Sequence, residues 1–419
     1  MNSKLWPYFT YFGIFLVFTP AFFLLFSKVL PVNLGGANNQ NQATDISATP
    51  TKIGVITFNG PKTEVCPLNG LLYTAEEKKI WSTRRPMEIM IENHTDSRPQ
   101  SGLQNADIVY EAIAEGGITR FMGVFYCGAV SGAAIKYDVG PVRSARTYFL
   151  DLASEYADYP LYAHVGGANC SAPLDPVTGR AAGPCTTSKK ALAIEQIGDY
   201  GWNNAGTWGD LSQFSLSYKA CRREAERTGE VRDTEHTMYC STTEMWNVAA
   251  ARGLTNLTAV KKQSWDKNYR AWSFKQKDAP AATISAPKIS FGFWAGYADY
   301  NVTWTYDQTK NEYTRQNGAQ PHIDFNTQEV LSTKNIVIEF TKESRSIDIH
   351  GHNLYEVIGS GKGILFQNGA KEEITWQKAN RLSRTIYKDS KGAEVNFVPG
   401  KVWVEILPIG NTVNYEGQS

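Results

Sequence analysis

The run LWPYFTYFGIFLVFTPAFFLLFS, from Leu5 to Ser27, contains no charged residue. As a helix it is long enough to cross a hydrocarbon core of about 30 Å, whereas the apolar stretch of a secretory signal spans only about 7–15 residues. The expectation is one transmembrane anchor, or an uncleaved signal, over 5–27. A signal cleaved near LGGA, ending at Ala37, is the competing reading. Pro7 and Pro20 kink such a helix without preventing insertion. Whatever follows is then expected outside the cytoplasm, in a single-pass protein of the cell membrane whose bulk is extracytoplasmic.

Cysteine usage fits that compartment. Cys66, Cys127, Cys170, Cys185, Cys221 and Cys240 form no CxxC, and no histidine lies at zinc-finger spacing from them. An even count behind an export-like segment favours disulfides over buried thiols. Pairing nearest neighbours gives Cys170–Cys185 and Cys221–Cys240, which leaves Cys66 with Cys127. Charge adds an exclusion: 42 basic residues against 41 acidic ones, a net charge of +1, lack the basic excess of a nucleic-acid binder.

Residues 28–51 are polar, small and unpatterned, a flexible spacer. A lead-in segment over 52–83 precedes a mixed α/β domain over 84–275. After the Pro/Ala/Ser stretch from Lys277 to Lys288 the pattern changes to period two, as in Tyr300, Val302, Trp304 and Tyr306. NIVIEF, GILFQNG, EVNFV and KVWVEIL continue it, so 289–410 is expected to form a β-rich domain. The fold class is therefore α+β with a β-rich C-terminal part, preceded by one transmembrane helix.

Within the first domain, ADIVYEAIAEGGITRFMGVFYCG has two apolar runs joined by Gly116-Gly117, a pair that suits a two-residue hairpin turn. With Glu115 opposite Ile118, Ile113 opposite Arg120 and Glu111 opposite Met122, the side chains of Glu111, Glu115 and Arg120 share one face. A helix is the alternative, since Ala106, Val109, Tyr110 and Ile113 also fit a helical stripe.

Next comes GPVRSARTYFLDLASEY. Ala145, Tyr148, Phe149, Leu152 and Tyr156 form an apolar stripe, so a helix is expected from about Ser144, with that serine as N-cap. Arg143 and Arg146 then sit at the positive end of a helix dipole, which a bound phosphate or carboxylate would make favourable. Pairing of both arginines with Glu111 or Glu115 is the competing reading. PLYAHVGGA places His164 beside two glycines at a strand end, and MIENHTDSRPQSGL supplies Glu92, His94, Asp96, Arg98 and Gln100 after an apolar run.

The stretches RPMEIMIENHTDSRPQSGLQNADIVYEAIAEGGITRFMGVFY, GPVRSARTYFLDLASEY and HVGGA, with KNIVIEF, GSGKGILFQNG and VPGKVWVEILP further on, closely resemble the YerB-like family of bacterial envelope lipoproteins. That family is known mainly as a domain of unknown function. The resemblance implies an envelope protein with an N-terminal and a β-rich C-terminal domain, and brings no established activity with it. Two departures stand out. The lipid-acceptor cysteine usual in the family is missing, and EHTMYC keeps His236 but has Thr237 where the family has asparagine.

No nucleophile elbow, P-loop, dinucleotide fingerprint or metal-ligand spacing is present, so no cofactor and no metal are expected. The expected function is binding of an anionic cell-wall glycan or lipid-linked phosphate, or of a cell-wall synthesis protein. The ligand-binding residues would be Glu92, His94, Arg98, Gln100, Arg120, Arg143, Ser144, Arg146 and His236. The alternative is an envelope enzyme, glycan-cleaving or phosphotransferase-like, with Glu111, Glu115 and His164 as acid/base groups. The membrane, peptidoglycan or lipid-linked precursors, and synthesis proteins are the expected partners, with no nucleic acid. Trp304 and Trp403 would be core, or would line a partner interface.

Overall fold

A ten-stranded mixed sheet organises the protein, and both halves of the sequence contribute strands to it. The computed structural model describes residues 58–130, 137–173, 175–179, 182–258, 262–276 and 278–416. The anchor expected over 5–27 and the linker over 28–51 lie outside them. Among the described residues no helix is long and apolar enough to cross a membrane.

In chain order the strands of this sheet are β1 (Met87–Glu92), β2 (Ile108–Glu115), β3 (Ile118–Phe125), β4 (Leu161–His164), β5 (Asp210–Ser212), β6 (Asn335–Thr341), β7 (Gly359–Gln367), β8 (Ala370–Lys378), β9 (Ile386–Lys388) and β10 (Val402–Pro408). Their spatial order is β9-β8-β7-β6-β10-β2-β3-β1-β4-β5. The two sequence halves join where β10 runs parallel to β2, with Trp403 beside Val109 and Glu405 beside Glu111. β1, β4 and β5 are parallel neighbours at one edge. The class is α+β, with few and short helices and many strands.

A second, six-stranded sheet is built from Lys288–Phe291, Val302–Asp307, Glu312–Asn317, Gln320–Pro321, Ser332–Thr333 and Val413–Tyr415. It packs on the Glu111 face of the main sheet: Arg315 reaches Glu111 and Trp304 reaches Glu405. The alternation read from Val302 onward is real, for Val302 and Trp304 are fully buried while Thr303 and Thr305 are not. Trp304 and Trp403 are core rather than interface, meeting edge to face at 5.2 Å. Removing either ring would leave a cavity costing about 3–5 kcal/mol. The opposite face is covered by the helix Thr147–Ala153 and the turn after it, through Tyr148, Phe149, Leu152 and Tyr156. The hydroxyls of Tyr110 and Tyr156 meet at 2.8 Å.

All three disulfides follow the nearest-neighbour pairing: Cys66–Cys127, Cys170–Cys185 and Cys221–Cys240. The lead-in segment forms the hairpin Lys62–Val65/Leu72–Thr74 and the helix Ala75–Trp81, whose start is fixed by a capping box between Thr74 and Glu77.

Two local expectations are corrected. The β2–β3 hairpin exists, and Gly116 and Gly117 turn it at φ +57° and +79°, values that suit glycine. Its register, however, slips by one residue at a bulge between Ile113 and Glu115. Ala112, not Ile113, therefore opposes Arg120, and Glu111 opposes Phe121. A one-residue slip reverses every side chain beyond it. Glu111 thus lies on the face opposite Arg120, and only Glu115, past the bulge, joins that arginine.

The second correction concerns the helix start. The helix begins at Thr147 with Arg146 as N-cap, and Ser144 caps nothing. The chain from Val142 to Ala145 is still extended because neighbouring strands occupy its backbone: Arg143 N–H donates to the Met90 carbonyl, and Ala145 N–H to that of Gly166. Tertiary pairing overrides the local capping signal.

Candidate functional site at the carboxyl end of the parallel pair

β1 and β4 pair over Met87–Ile89 and Leu161–Ala163 and then part. The segment from Pro141 to Ala145 threads between their carboxyl ends. Glu92 N–H donates to the Pro141 carbonyl at 2.9 Å, and Val165 N–H to that of Arg143 at 3.1 Å. Carboxyl ends of parallel strands are where open α/β sheets commonly hold ligands. Here the insertion carries Arg143 and Arg146 to that end, β1 and the turn after it deliver Glu92 and His94, and β3 contributes Arg120.

The two arginines of the opening motif go to different acids. Glu115 takes Arg120 Nη2 on one oxygen at 2.9 Å and Arg146 Nε on the other at 3.0 Å, with Arg146 Nη2 closer still. Arg120 and Arg146 are buried, and each also donates to a carbonyl, that of Ser144 at 3.2 Å and of Ala145 at 2.7 Å. Burial alone would raise the Glu115 pKa, but the two guanidinium groups outweigh it and hold the carboxyl well below its usual range. These three groups form a closed ion cluster rather than an anion clamp at a helix mouth.

Arg143 differs. Its Nε lies 3.0 Å from Glu92 Oε1 as an ion pair without hydrogen-bond alignment, and its side chain is 25% exposed. Among the described residues its two terminal nitrogens make no hydrogen bond to protein. The other oxygen of buried Glu92 meets His236 Nδ1 at 2.9 Å. The His236 ring stacks on His94 with centroids 4.7 Å apart and planes 10° apart. Arg143, Glu92, His236 and His94 are thus brought together from three separate segments, with His94 31% exposed.

The remaining candidates hold structure. Arg98 donates to Asn93 and to the Asp299 carbonyl, and lies 5.2 Å over the Tyr300 ring. Beside it, Thr95, Arg98, Asp299, Asn317, His322 and Gln328 line a groove of about 600 Å³. Gln100 is buried, donating to the Glu92 carbonyl and accepting from His322. His164 is buried with both ring nitrogens facing acceptors, Asp210 Oδ1 at 2.8 Å and the Gly166 carbonyl at 2.5 Å, so it has none to offer a substrate. Glu111 is fully buried and paired with Arg315 at 2.6 Å.

Sequence reading missed the partners of Glu111. Arg315 Nη1 donates to His322 Nδ1, and Asn93, Thr119, Asn317 and Glu405 complete the surrounding polar layer between the sheets. Burial, then the charge of Arg315, pushes the His322 imidazole well down, so it is neutral. Burial, then the charge of Glu111, pushes the Glu405 carboxyl well up. Strand alternation carried the signal: Tyr313, Arg315 and Asn317 all point inward from one strand.

Residues 69–178 match the model of the family described as "Protein of unknown function (DUF3048) N-terminal domain", and residues 292–404 match its C-terminal domain. A Bacillus subtilis (strain 168) protein, YerB, named as a lipoprotein, is 29% identical over 353 residues, covering 82% of this chain and 86% of the relative. The crystal structure of Bacillus subtilis YerB matches with a TM-score of 0.61 at 24% identity, over 84% of this chain and 100% of the other.

Proposed function

This chain belongs to the DUF3048, or YerB-like, family, and from that premise we propose that it is a membrane-anchored, extracytoplasmic envelope protein that binds an anionic ligand at Arg143. The relative's name as a lipoprotein supports an envelope location. Attachment here would use the apolar run Leu5–Ser27. The first cysteine of the chain, Cys66, is buried in a disulfide and is no lipid acceptor. Three disulfides are at home outside the cytoplasm.

The observation that carries the binding reading is the half-buried Arg143 guanidinium, whose terminal nitrogens make no hydrogen bond to protein among the described residues. Two forked donors at the carboxyl end of β1 suit a phosphate or carboxylate oxygen pair. Arg120, Arg143 and Arg146 face the carboxylates of Glu92 and Glu115, and the exposed Glu235 lies within electrostatic reach of Arg143. The ligand class is an anionic cell-wall glycan or lipid-linked phosphate. Binding is favoured over catalysis because Glu111 and His164 are fully engaged and Glu115 is held ionised between two arginines.

The test is to incubate the full chain in detergent with peptidoglycan and with lipid-linked precursors, then read products by mass spectrometry and retention by co-sedimentation. Retention without new products is expected, unchanged in His164→Ala and lost in Arg143→Ala. Cleaved or transferred products would overturn the binding reading. Capture of a cell-wall synthesis protein with no ligand retained would overturn the ligand class.

A further inference from the structure

We infer that the second sheet carries a separate site for an uncharged sugar ring, with Tyr297 as its stacking platform. The inference rests on the reading of the ligand as a glycan, and places a neutral unit of such a chain. Two loops leave that sheet at the same end, because Phe291 pairs with Val413. GFWAGYADYN, residues 292–301, follows the first of these strands, and Asn411-Thr412 leads into the second. Together with Arg345 they line a cavity of about 480 Å³, in the size range of small-ligand sites.

The aromatic wall is built before any ligand arrives. A Cβ on Gly117 would lie 2.5–2.7 Å from three atoms of the Tyr297 ring, so one face of the ring packs on the β2–β3 turn. The ring is nonetheless 39% exposed. Trp294 meets it in a T-shaped contact, with centroids 5.7 Å apart. One acid, with a side chain only 3% exposed, holds the rest in place. Glu343 takes Trp294 Nε1 at 2.9 and 3.0 Å on its two oxygens, the Tyr355 hydroxyl at 2.6 Å, and Arg345 Nε. The Arg345 guanidinium lies 4.6 Å over the Trp294 ring. A wall fixed in this way lowers the ordering cost of binding.

The polar groups left over match hydroxyls better than an anion. Among the described residues, the terminal nitrogens of Arg345 and the side-chain amide of Asn301 make no hydrogen bond to protein. Asn411 spends its amide N–H groups on the Gly292 and Phe293 carbonyls and keeps its oxygen. Donors and acceptors on one rim suit groups that both donate and accept, as sugar hydroxyls do. Arg345 is the one charged residue in the lining, and Glu343 pairs with it. The C–H face of a pyranose completes the fit, because its hydrogens meet the negative face of an aromatic ring favourably.

The experiment titrates the full chain in detergent with chitotetraose, an uncharged N-acetylglucosamine tetramer, by calorimetry. Saturable binding indifferent to salt is expected. Tyr297→Ala should weaken it about tenfold or more and Tyr297→Phe should keep it, since the ring rather than the hydroxyl stacks. Arg345→Gln should weaken it several-fold, Arg143→Ala should leave it unchanged, and thermal unfolding shows that each variant folds. No saturable binding at millimolar tetramer, equal affinity in Tyr297→Ala, or affinity that falls with salt would overturn the inference. Self-association of the chain that is lost in Tyr297→Ala would overturn it too, by assigning the face to a second copy. If a phosphate-bearing fragment binds through Arg143 while the tetramer does not, this site fails and the anion reading stands. If the tetramer binds and that fragment does not, the reverse holds.

Discussion

Glu111 and Glu405 sit side by side on adjacent parallel strands, fully buried, with one cation between them and the second sheet. Arg315 Nη2 is 2.6 Å from Glu111, and its Nε is 4.0 Å from Glu405. Burial and the charge of Glu111 keep Glu405 protonated, so only one carboxylate balances the guanidinium. Glu405→Gln, which mimics the protonated acid, should cost less than about 1 kcal/mol. Glu111→Gln removes the ionised partner. It also removes the second cause that holds Glu405 protonated, so Glu405 ionises and takes over Arg315 at a longer distance. That rescue limits the loss to about 2 kcal/mol, the scale of one charge-assisted hydrogen bond. In the double variant no acid remains and a buried cation is left unpaired, a loss of about 3–5 kcal/mol. The two substitutions should therefore couple by about 1–2 kcal/mol beyond additivity. Urea unfolding at pH 7, read as midpoint shifts at constant m-value, measures all four corners of the cycle. Strict additivity, or a Glu405→Gln cost equal to that of Glu111→Gln, would refute the assignment of the protonated state to Glu405.

Two further predictions rest on other parts of the fold. Burial raises the Glu339 carboxyl to about 7, against a partial lowering by the Tyr387 hydroxyl that bonds it. A raised folded-state pKa stabilises below the unfolded value and loses that contribution as pH climbs to the folded one. Stability should therefore fall between about pH 4.5 and 7 by up to about 1.4 kcal/mol per pH unit from this group, and Glu339→Gln should flatten that slope in urea melts. Cys66–Cys127 closes a loop with a sequence separation of 61, so replacing both cysteines by alanine should cost about 4 kcal/mol in the same assay, with no further loss on adding reductant that is traceable to this pair.

What could be read from the sequence was what short-range patterning encodes. Val302 and Trp304 announced an inward face by alternation. Gly116-Gly117 announced a turn, and cysteine order announced all three disulfides. The misreadings lie in features that short-range patterning does not encode. The bulge before Glu115 cannot be seen in composition, yet it moves Glu111 to the other side of the sheet. Ser144 looks like a cap, yet backbone pairing to β1 and to the turn after β4 keeps the chain extended until Arg146. Of the site itself, Arg143 and Glu92 were found as residue types in suggestive places. The stacking of His94 on His236, and the burial of Arg315 and His322 beneath, depend on segments far apart in the chain.

The central claim is that the terminal nitrogens of Arg143 await an anion from outside the protein. Equilibrium titration of the full chain with a phosphate-bearing cell-wall fragment, repeated for Arg143→Ala and Arg143→Lys, tests it most directly. Loss of a charged hydrogen-bonding partner predicts binding weaker by about tenfold to a hundredfold in the alanine variant, with partial recovery in lysine and a decline at high salt. Equal affinity in all three proteins, insensitive to salt, would contradict it.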